Sequence, residues 1–508
     1  MQRTIPGMKS NSVVTVGSLL LVAAASASAQ EKPVPPPAPP PPAAPPAVPP
    51  SAGLVNDWLR RQASLWQRWD FGGQFRARYE FKENFAVPGT TGAADFRRTT
   101  PVDENSYLLL RTRLHVGYTP TDWFSAFAEG QNSSTTGDER DPNPESNGPV
   151  DLRQGYVVVG NTKQGMAPNP VGGPLSAKVG RQELIYGDER LIGASDWNNI
   201  GRVFDAAKGR YQNEQLWVDA FVGRVIIPDD NNFDMPNDYD WFSGAYASTR
   251  TYVPGQETQV YFLARNVSDQ SSDPLNPALP AILRGASPRD IYTVGARVKS
   301  LPGARGPWDY DAELAGQWGD YAFSAAGPRL EHHAFAAHAA GGHTWGKTWG
   351  APRLGLEYNY ASGDDNPNDN EHGTFENLFP TNHKFYGYMD FFSWQNIHDV
   401  RMSGSIKPHR QVQVSLDYHA FWLADTHDFF YQVNGSPRTT GGYGINPSAG
   451  NFVGQELDLV ATYSPKNFAS LQAGYGHFFV GEYVRDSLQA VGGASDANWV
   501  YVQAVFNF

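Results

Sequence analysis

The chain has 508 residues, no cysteine, a formal charge of −12 and an aromatic content of 13%. Its size leaves room for several soluble domains, but the absence of cysteine excludes disulfide-stapled modules, and past the N-terminal segment no apolar run has the length of a membrane helix. With this acidic balance no nucleic acid is expected as a partner.

In chain order, residues 1–29 read as a secretory signal peptide. Arg3 and Lys9 give a positive start, residues 13–25 an apolar run, and Ala27-Ser28-Ala29 a small-x-small cleavage site. No cysteine follows it, which excludes a lipidated N-terminus. Residues 30–53 form a Pro/Ala-rich linker, which stays extended and solvated because proline fixes φ and removes donors. Residues 54–68 are a short amphipathic helix candidate with Leu54, Trp58, Leu59, Leu65 and Trp66 as apolar positions.

From residue 69 to 508 the pattern changes to strict alternation. Phe71, Phe75, Ala77, Tyr79 and Phe81 oppose Gln74, Arg76, Arg78 and Glu80. Leu108, Leu110, Leu114 and Val116 oppose Arg111, Arg113 and His115; Val412, Val414, Leu416 and Tyr418 oppose Gln413, Ser415, Asp417 and His419. Period two sustained over about ten residues is the mark of a transmembrane strand, and about eighteen such segments can be traced. Short links (around 119–122, 211–216, 251–256, 301–307, 346–352, 408–410 and 464–467) alternate with long polar ones (82–106, 132–150, 225–239, 266–289, 362–397, 424–453 and 481–498). The link at 160–174 is longer than its place in this rhythm predicts. The last strand, 498–508, ends on Phe508. The fold class expected is all-β, an antiparallel transmembrane β-barrel of about 18 strands in a bacterial outer membrane, where closure satisfies every backbone donor and acceptor.

Such a wall has an apolar outside and a solvated inside. Trp123, Trp308, Trp318, Tyr358, Tyr360, Trp422 and Tyr463 suit interfacial girdles. The inward set predicted by alternation holds Arg76, Arg78, Arg111, Arg113, Arg153, Arg181, Arg202, Arg265, Arg297, Lys299, Arg353 and Arg401. Its acids include Glu80, Glu129, Glu183, Glu357, Asp417, Glu456 and Asp458. Residues 180–208 are unusual in this frame. Arg181 and Glu183 finish the fifth strand facing inward, 184–201 is an external link carrying Asp188 and Arg190, and the sixth strand opens with Arg202 and Asp205. A link this rich in Arg, Asp and Trp is expected to frame the lumen, either folding in to constrict it or bracing the wall through salt bridges.

The stretch GRQELIYGDERLIG with DWNNIGRVFDAA resembles the signature region of the alginate export family of bacterial outer-membrane barrels. LFPTNHKFYGYMD, residues 378–390, resembles a second block of that family; Arg111 and Arg113 in LLLRTRLHVGY, and Asp151-Leu152-Arg153-Gln154, fit as well. The resemblance spans about residues 69–508 and implies an eighteen-stranded barrel passing an anionic polysaccharide through an arginine-lined constriction. The substrate pathway would then run along Arg76, Arg78, Arg111, Arg113, Arg153, Arg181, Glu183, Asp188, Arg190, Arg202 and Asp205. Guanidinium forks bind carboxylates and stay charged, while nearby acids weaken each site enough for release. The partners expected are an anionic polysaccharide or oligosaccharide, outer-membrane lipid and periplasmic export proteins. The alternatives are an uptake porin for another small solute and a loop-plugged structural barrel.

No enzyme chemistry is expected: Gly-x-Ser-x-Gly is absent and no triad stands out. No cofactor or metal is expected. The oxygen-rich runs at 229–234 and 364–371 lack the glycine of a calcium loop, and His333 and His338 fall on opposite faces of a strand.

Overall fold

The computed structural model describes residues 53–86, 95–98, 102–140, 143–160, 175–229, 232–269 and 287–508. The expected signal peptide and nearly all of the linker lie outside these residues. Among the described residues nineteen strands join in one sheet. They are β1 (Trp69–Glu83), β2 (Glu104–Thr121), β3 (Phe124–Thr136), β4 (Asn147–Gly160), β5 (Leu175–Gln182), β6 (Phe204–Gln212), β7 (Leu216–Ile227), β8 (Met235–Thr249), β9 (Gln256–Val267) and β10 (Arg289–Ser300). There follow β11 (Trp308–Tyr321), β12 (Leu330–Thr344), β13 (Arg353–Ala361), β14 (Glu371–His372), β15 (Ile397–His409), β16 (Val412–Leu423), β17 (Phe452–Lys466), β18 (Ala469–Val480) and β19 (Ala497–Asn507). The two-residue β14 lies parallel to the start of β12. The other eighteen strands form a closed antiparallel barrel in which each pairs with its sequence neighbours.

Closure is made by β19 against β1, with Phe75 opposite Phe506 and Glu83 opposite Asn498. No strand edge is left to face lipid, which is what a sheet must achieve to cross a membrane. The predicted rhythm of links holds. Turns at 122–123, 213–215, 250–255, 301–307, 345–352, 410–411 and 467–468 share one end, and 183–203, 362–396, 424–451 and 481–496 share the other. The link expected over 225–239 is shorter than predicted. After a register shift beyond Arg224, Ile226 pairs with Pro236 and Ile227 with Met235, so sheet pairing continues through polar sequence past the membrane-like pattern.

The chain is apolar outside. Leu114, Leu314, Leu354, Leu356, Val502 and Phe506 are exposed, whereas Arg76, Arg78, Glu80, Arg111, Arg113 and Glu129 are buried. Trp123 and Trp308 are exposed at the short-turn end, the interfacial level of such barrels. A hydrophobic core nevertheless exists, and it lies within the lumen. Leu184, Ile192, Phe375, Phe379, Phe392 and Trp394, all from long-side links, pack against inward Phe204, Phe242, Phe421 and Phe478. Phe392 stacks on Phe421 with ring centroids 3.9 Å apart.

Ahead of the barrel, α1 (Leu54–Gln62) and a 3-10 turn (Ser64–Arg68) lie at the short-turn end. Asn56 accepts the Phe71 N–H at 2.8 Å, and the Arg60 guanidinium donates to the Trp69 carbonyl at 3.1 Å. Trp58 and Leu65 stay exposed.

Candidate functional site

Two long links fold into the barrel and meet there. Residues 183–203 form the first inner loop and 362–396 the second. These are the links that hold the two most distinctive stretches of the sequence. They are zipped together by backbone hydrogen bonds: Gly193 N–H to the Phe379 carbonyl at 2.8 Å, Phe379 N–H to Leu191 at 3.0 Å and Thr381 N–H to Glu189 at 2.8 Å. Ile192 and Phe379 form a parallel bridge. The Thr381 hydroxyl accepts the Ser195 N–H at 3.0 Å and donates to Glu189 at 2.8 Å. Trp197 and His383 stack face to face at 3.9 Å, and the Arg78 guanidinium lies 3.9 Å from the Trp197 ring.

The first loop rests in a cradle of arginines supplied by β1 and β2. Alternation puts Arg76, Arg78, Arg111 and Arg113 on the inward face, and direct register sets Arg76 opposite Arg111. Such like-charge pairing is destabilising unless acceptors are shared, and the loop supplies them. Arg76 donates to the Asp196 carbonyl at 2.8 Å and the Asn198 carbonyl at 3.0 Å. Arg111 reaches the Asp196 carbonyl at 2.9 Å and Arg78 the Trp197 carbonyl at 2.7 Å. The Asp196 carboxylate lies 2.7 Å from Arg113 and 3.1 Å from Arg111. Its depth within the barrel raises the carboxyl pKa, but Arg111, Arg113, Arg76 and Arg153 together hold it well below the usual carboxylate range. The arginine side chains are at most 3% exposed, whereas that of Asp196 is 53% exposed. The carboxylate therefore sits between the arginines and open lumen.

The second loop is held by the opposite charge. Met389 N–H donates to Glu456 at 2.8 Å and Tyr388 N–H to Asp458 at 3.2 Å. Gly387 takes φ +86°, and a Cβ there would come within 2.5 Å of the Glu456 carboxylate, so only glycine lets the loop approach this wall. The basic wall thus binds one loop by its carbonyls, and the acidic wall binds the other by its amides. Many of the lumen acids expected from the sequence serve this purpose or brace arginines.

The remaining predicted pathway residues divide. Arg153 pairs with Glu183 at 2.7 Å beside the cradle. Asp188 reaches Arg297 at 2.9 Å and Lys299 at 3.3 Å. Arg190 crosses to the far wall, 2.7 Å from Glu357, 3.1 Å from Asn359 and 3.3 Å from the Tyr386 hydroxyl. Arg202 lies in the first loop rather than on β6 and donates to the Pro380 carbonyl at 2.7 Å.

Arg181 and Asp205 were expected to face inward and do not. They pair directly across β5 and β6, and Asp205 lies opposite Arg224, which lies opposite the exposed Trp241. Arg181 has the parity of Leu175 and Val179, which face out. What covers it is the end of the link before β8: its guanidinium lies 5.0 Å from the Phe233 ring and donates to the Asp234 carbonyl at 2.9 Å and to Asp205 at 2.9 Å. Arg181→Ala is expected to lower stability by about 1–2 kcal/mol, through loss of a charged hydrogen-bond pair whose acid side chain is one-third exposed, and to leave the ion selectivity of the barrel unchanged. Urea unfolding and reversal potentials check the two halves of that statement.

Sequence reasoning passed over Lys178, Lys208 and Arg210. All three face the lumen, and Lys178 lies directly opposite Lys208. The signal was present: Lys178 alternates with the exposed Leu175 and Val179, and Arg210 precedes the exposed Tyr211.

The voids beside Arg153 and Gly201 and beside Arg190 and Glu313 are small, about 20 Å³ and about 10 Å³. Among the described residues no group of three or more His, Asp or Glu side chains is arranged to hold a metal.

Burial sets the pH response of the outer links. It pushes Asp234 and Asp428 up to about 6, against the hydrogen bonds that favour their ionised forms. A carboxyl whose folded pKa is raised contributes stability that is full below its unfolded pKa and is lost as pH rises through the folded value. Links 228–234 and 424–451 are therefore expected to tighten as pH falls from about 7 to about 4. Slower nicking of 424–451 by an acid-tolerant protease at pH 5 than at pH 7, corrected for the enzyme's own pH profile, checks this; Asp428→Asn removes that link's share of the dependence.

A family model for alginate export matches residues 67–498. The chain belongs to the alginate export family. Its two inner loops carry the blocks that suggested this membership, and the alginate export barrel brings them together inside the lumen. No curated protein matches the chain. Similar solved structures include Pseudomonas aeruginosa OpdK with vanillate, 11% identical over 86% of this chain and 98% of that one, TM-score 0.51. Pseudomonas aeruginosa OpdO is 11% identical over 87% and 97%, TM-score 0.51. Pseudomonas aeruginosa OccK2 in complex with glucuronate is 12% identical over 86% and 98%, TM-score 0.50. At this identity they show the shared fold. Fold and family are those of channels: this member of the family is a bacterial outer-membrane channel.

Proposed function

We propose that the channel passes an anionic, alginate-like saccharide or polysaccharide along the open side of the arginine cradle. The observation that carries this reading is the Asp196 carboxylate, bound by Arg111 and Arg113 and half open to the lumen. It occupies the position that a uronate carboxylate would take. Arg76 binds main-chain carbonyls, which do not cancel its charge, and so adds a positive field at the same level; Arg78, which also donates to a carbonyl, is paired with Glu80 at 2.6 Å. The path continues past Asp188, Lys299, Arg353 and Lys384, whose side chains are at least one-third exposed.

A second reading, uptake of a small carboxylate, is favoured by one observation: the inner loops fill much of the lumen with core, leaving less room for a polymer than for a monomer. Single-channel recordings in planar bilayers separate the two. Block by oligouronates that strengthens with chain length supports the polymer channel; block that peaks at the monosaccharide supports uptake of a small acid. Cation selectivity with indifference to all uronates would remove both.

A further inference from the structure

We infer that Lys178, Lys208 and Arg210 form a second carboxylate station, on the short-turn side of the arginine cradle; this rests on the reading of the lumen as a uronate path. Lys178 and Lys208 face each other in direct register on the inward face of β5 and β6. Side chains so placed have Cβ atoms about 5 Å apart, and like charges there destabilise the sheet. The wall offers one carboxylate against three cations. Asp219 already accepts from Arg210 at 2.8 Å and from the Tyr186 hydroxyl at 2.8 Å, and it lies 3.4 Å from Lys208. Of the nearby inward acids, Glu183 is taken by Arg153 at 2.7 Å and Glu129 accepts from the Gln154 amide at 3.3 Å. Lys178 has no carboxylate partner among the described residues; its ammonium rests 3.6 Å from the centroid of the Tyr156 ring.

The spot therefore holds more cationic than acidic side chains on a surface that water and solutes reach: the Lys208 and Arg210 side chains are 18% and 27% exposed. A carboxylate placed between the two ammonium groups removes their repulsion. Flanking rings suit a sugar. Tyr156 lies under Lys178, and Trp217 is 4.7 Å from the Arg210 guanidinium; both rings are partly exposed. A pyranose presents C–H groups to such rings while its carboxylate meets the cations. The ligand class is thus a uronic acid residue, not a bare inorganic anion.

The station is separated from the cradle along the wall. Lys178 pairs with Val158 on β4, and Arg153 lies five residues further toward the long loops, roughly 17 Å at about 3.3 Å per residue. Two carboxylate sites at that spacing let a chain be held at one level while it exchanges at the other, as conduction through weak sites requires.

The test uses the folded full-length protein in detergent. Titration calorimetry with short oligouronates, and with neutral oligosaccharides of equal length, is run on wild type, Lys178→Gln, Lys208→Gln, the double variant and Arg111→Ala; urea midpoints are recorded for each. Each lysine variant is expected to weaken uronate binding roughly fivefold, the worth of one solvent-screened charge contact. The urea midpoint should hold or rise, because a repulsion has been removed. A midpoint that falls with unchanged affinity assigns the lysines a bracing role and overturns the station. Unchanged affinity in the lysine variants beside a loss in Arg111→Ala overturns the station alone and leaves the cradle in place. A wild type that binds no uronate overturns both.

Discussion

Replacing Arg111 and Arg113 together by alanine is expected to widen the conducting state, to shift the reversal potential toward cations and to weaken oligouronate block by tenfold or more. The physical chain is short. Arg111 donates to the Asp196 carbonyl at 2.9 Å, and its guanidinium and that of Arg113 bracket the Asp196 carboxylate at 3.1 and 2.7 Å. Hydrogen bonds to charged groups contribute about 1.5–3 kcal/mol each, so the pair of substitutions removes about 3–6 kcal/mol of anchoring from the first loop. It also leaves the Asp196 carboxylate facing the lumen with only Arg76 and Arg153 to offset it, which makes the lumen less favourable to anions. Asp196→Asn goes the other way. It keeps the shape of the loop, frees the two arginines and is expected to raise anion selectivity and tighten uronate block about tenfold. Opposite signs for the two variants are the discriminating outcome; equal shifts, or none, would sink the view that Asp196 stands where a substrate carboxylate binds.

Phe379→Ala is expected to loosen the inner loops without opening the barrel wall. Phe379 is 1% exposed. Its ring meets Phe204 at 5.2 Å and Phe242 at 4.9 Å and lies 4.5 Å from the Arg265 guanidinium, while its backbone makes two of the bonds that zip the loops. Phe→Ala in a packed core costs about 3–5 kcal/mol. The wall keeps its own hydrogen-bonded ladder, so the loss falls on the loops. Frequent conductance bursts and faster proteolysis within 362–396 are the expected signs, with heat-modifiable migration of the barrel on gels preserved. Phe379→Leu, which keeps most of the apolar volume, should lie close to wild type. Quiet channels and unchanged proteolysis in Phe379→Ala would mean that the loops are held mainly by the charged walls.

The elements differ in how plainly they could be read beforehand. The strands were legible because a barrel wall between lipid and water imposes period two on each of them. Lys178 and Arg210 follow that rule as clearly as Arg111 does. Arg181 shows the opposite error. Its charge suggested the lumen, while its parity with Leu175 and Val179 placed it outside, beneath a link whose cover no local pattern reveals. The stretch 180–208 could be recognised as framing the lumen, but bracing and constriction both fitted it. In the structure the same residues brace and fill: Asp188, Arg190 and Arg202 tie the first loop to the wall and to the second loop.

The amino-acid sequence by itself determined the barrel: its strand number, its closure through Phe508, the alternation of its short and long links and most of its inward charges. These follow from local alternation and from the need to pair every backbone group in lipid, both written residue by residue. Only the tertiary structure decided what the lumen contains. The meeting of Leu191 with Phe379, the capture of Asp196 by the β1–β2 arginines and the docking of Met389 on Glu456 join segments that lie far apart in the chain. Their energies depend on distance and desolvation inside a space that exists only once the wall has closed.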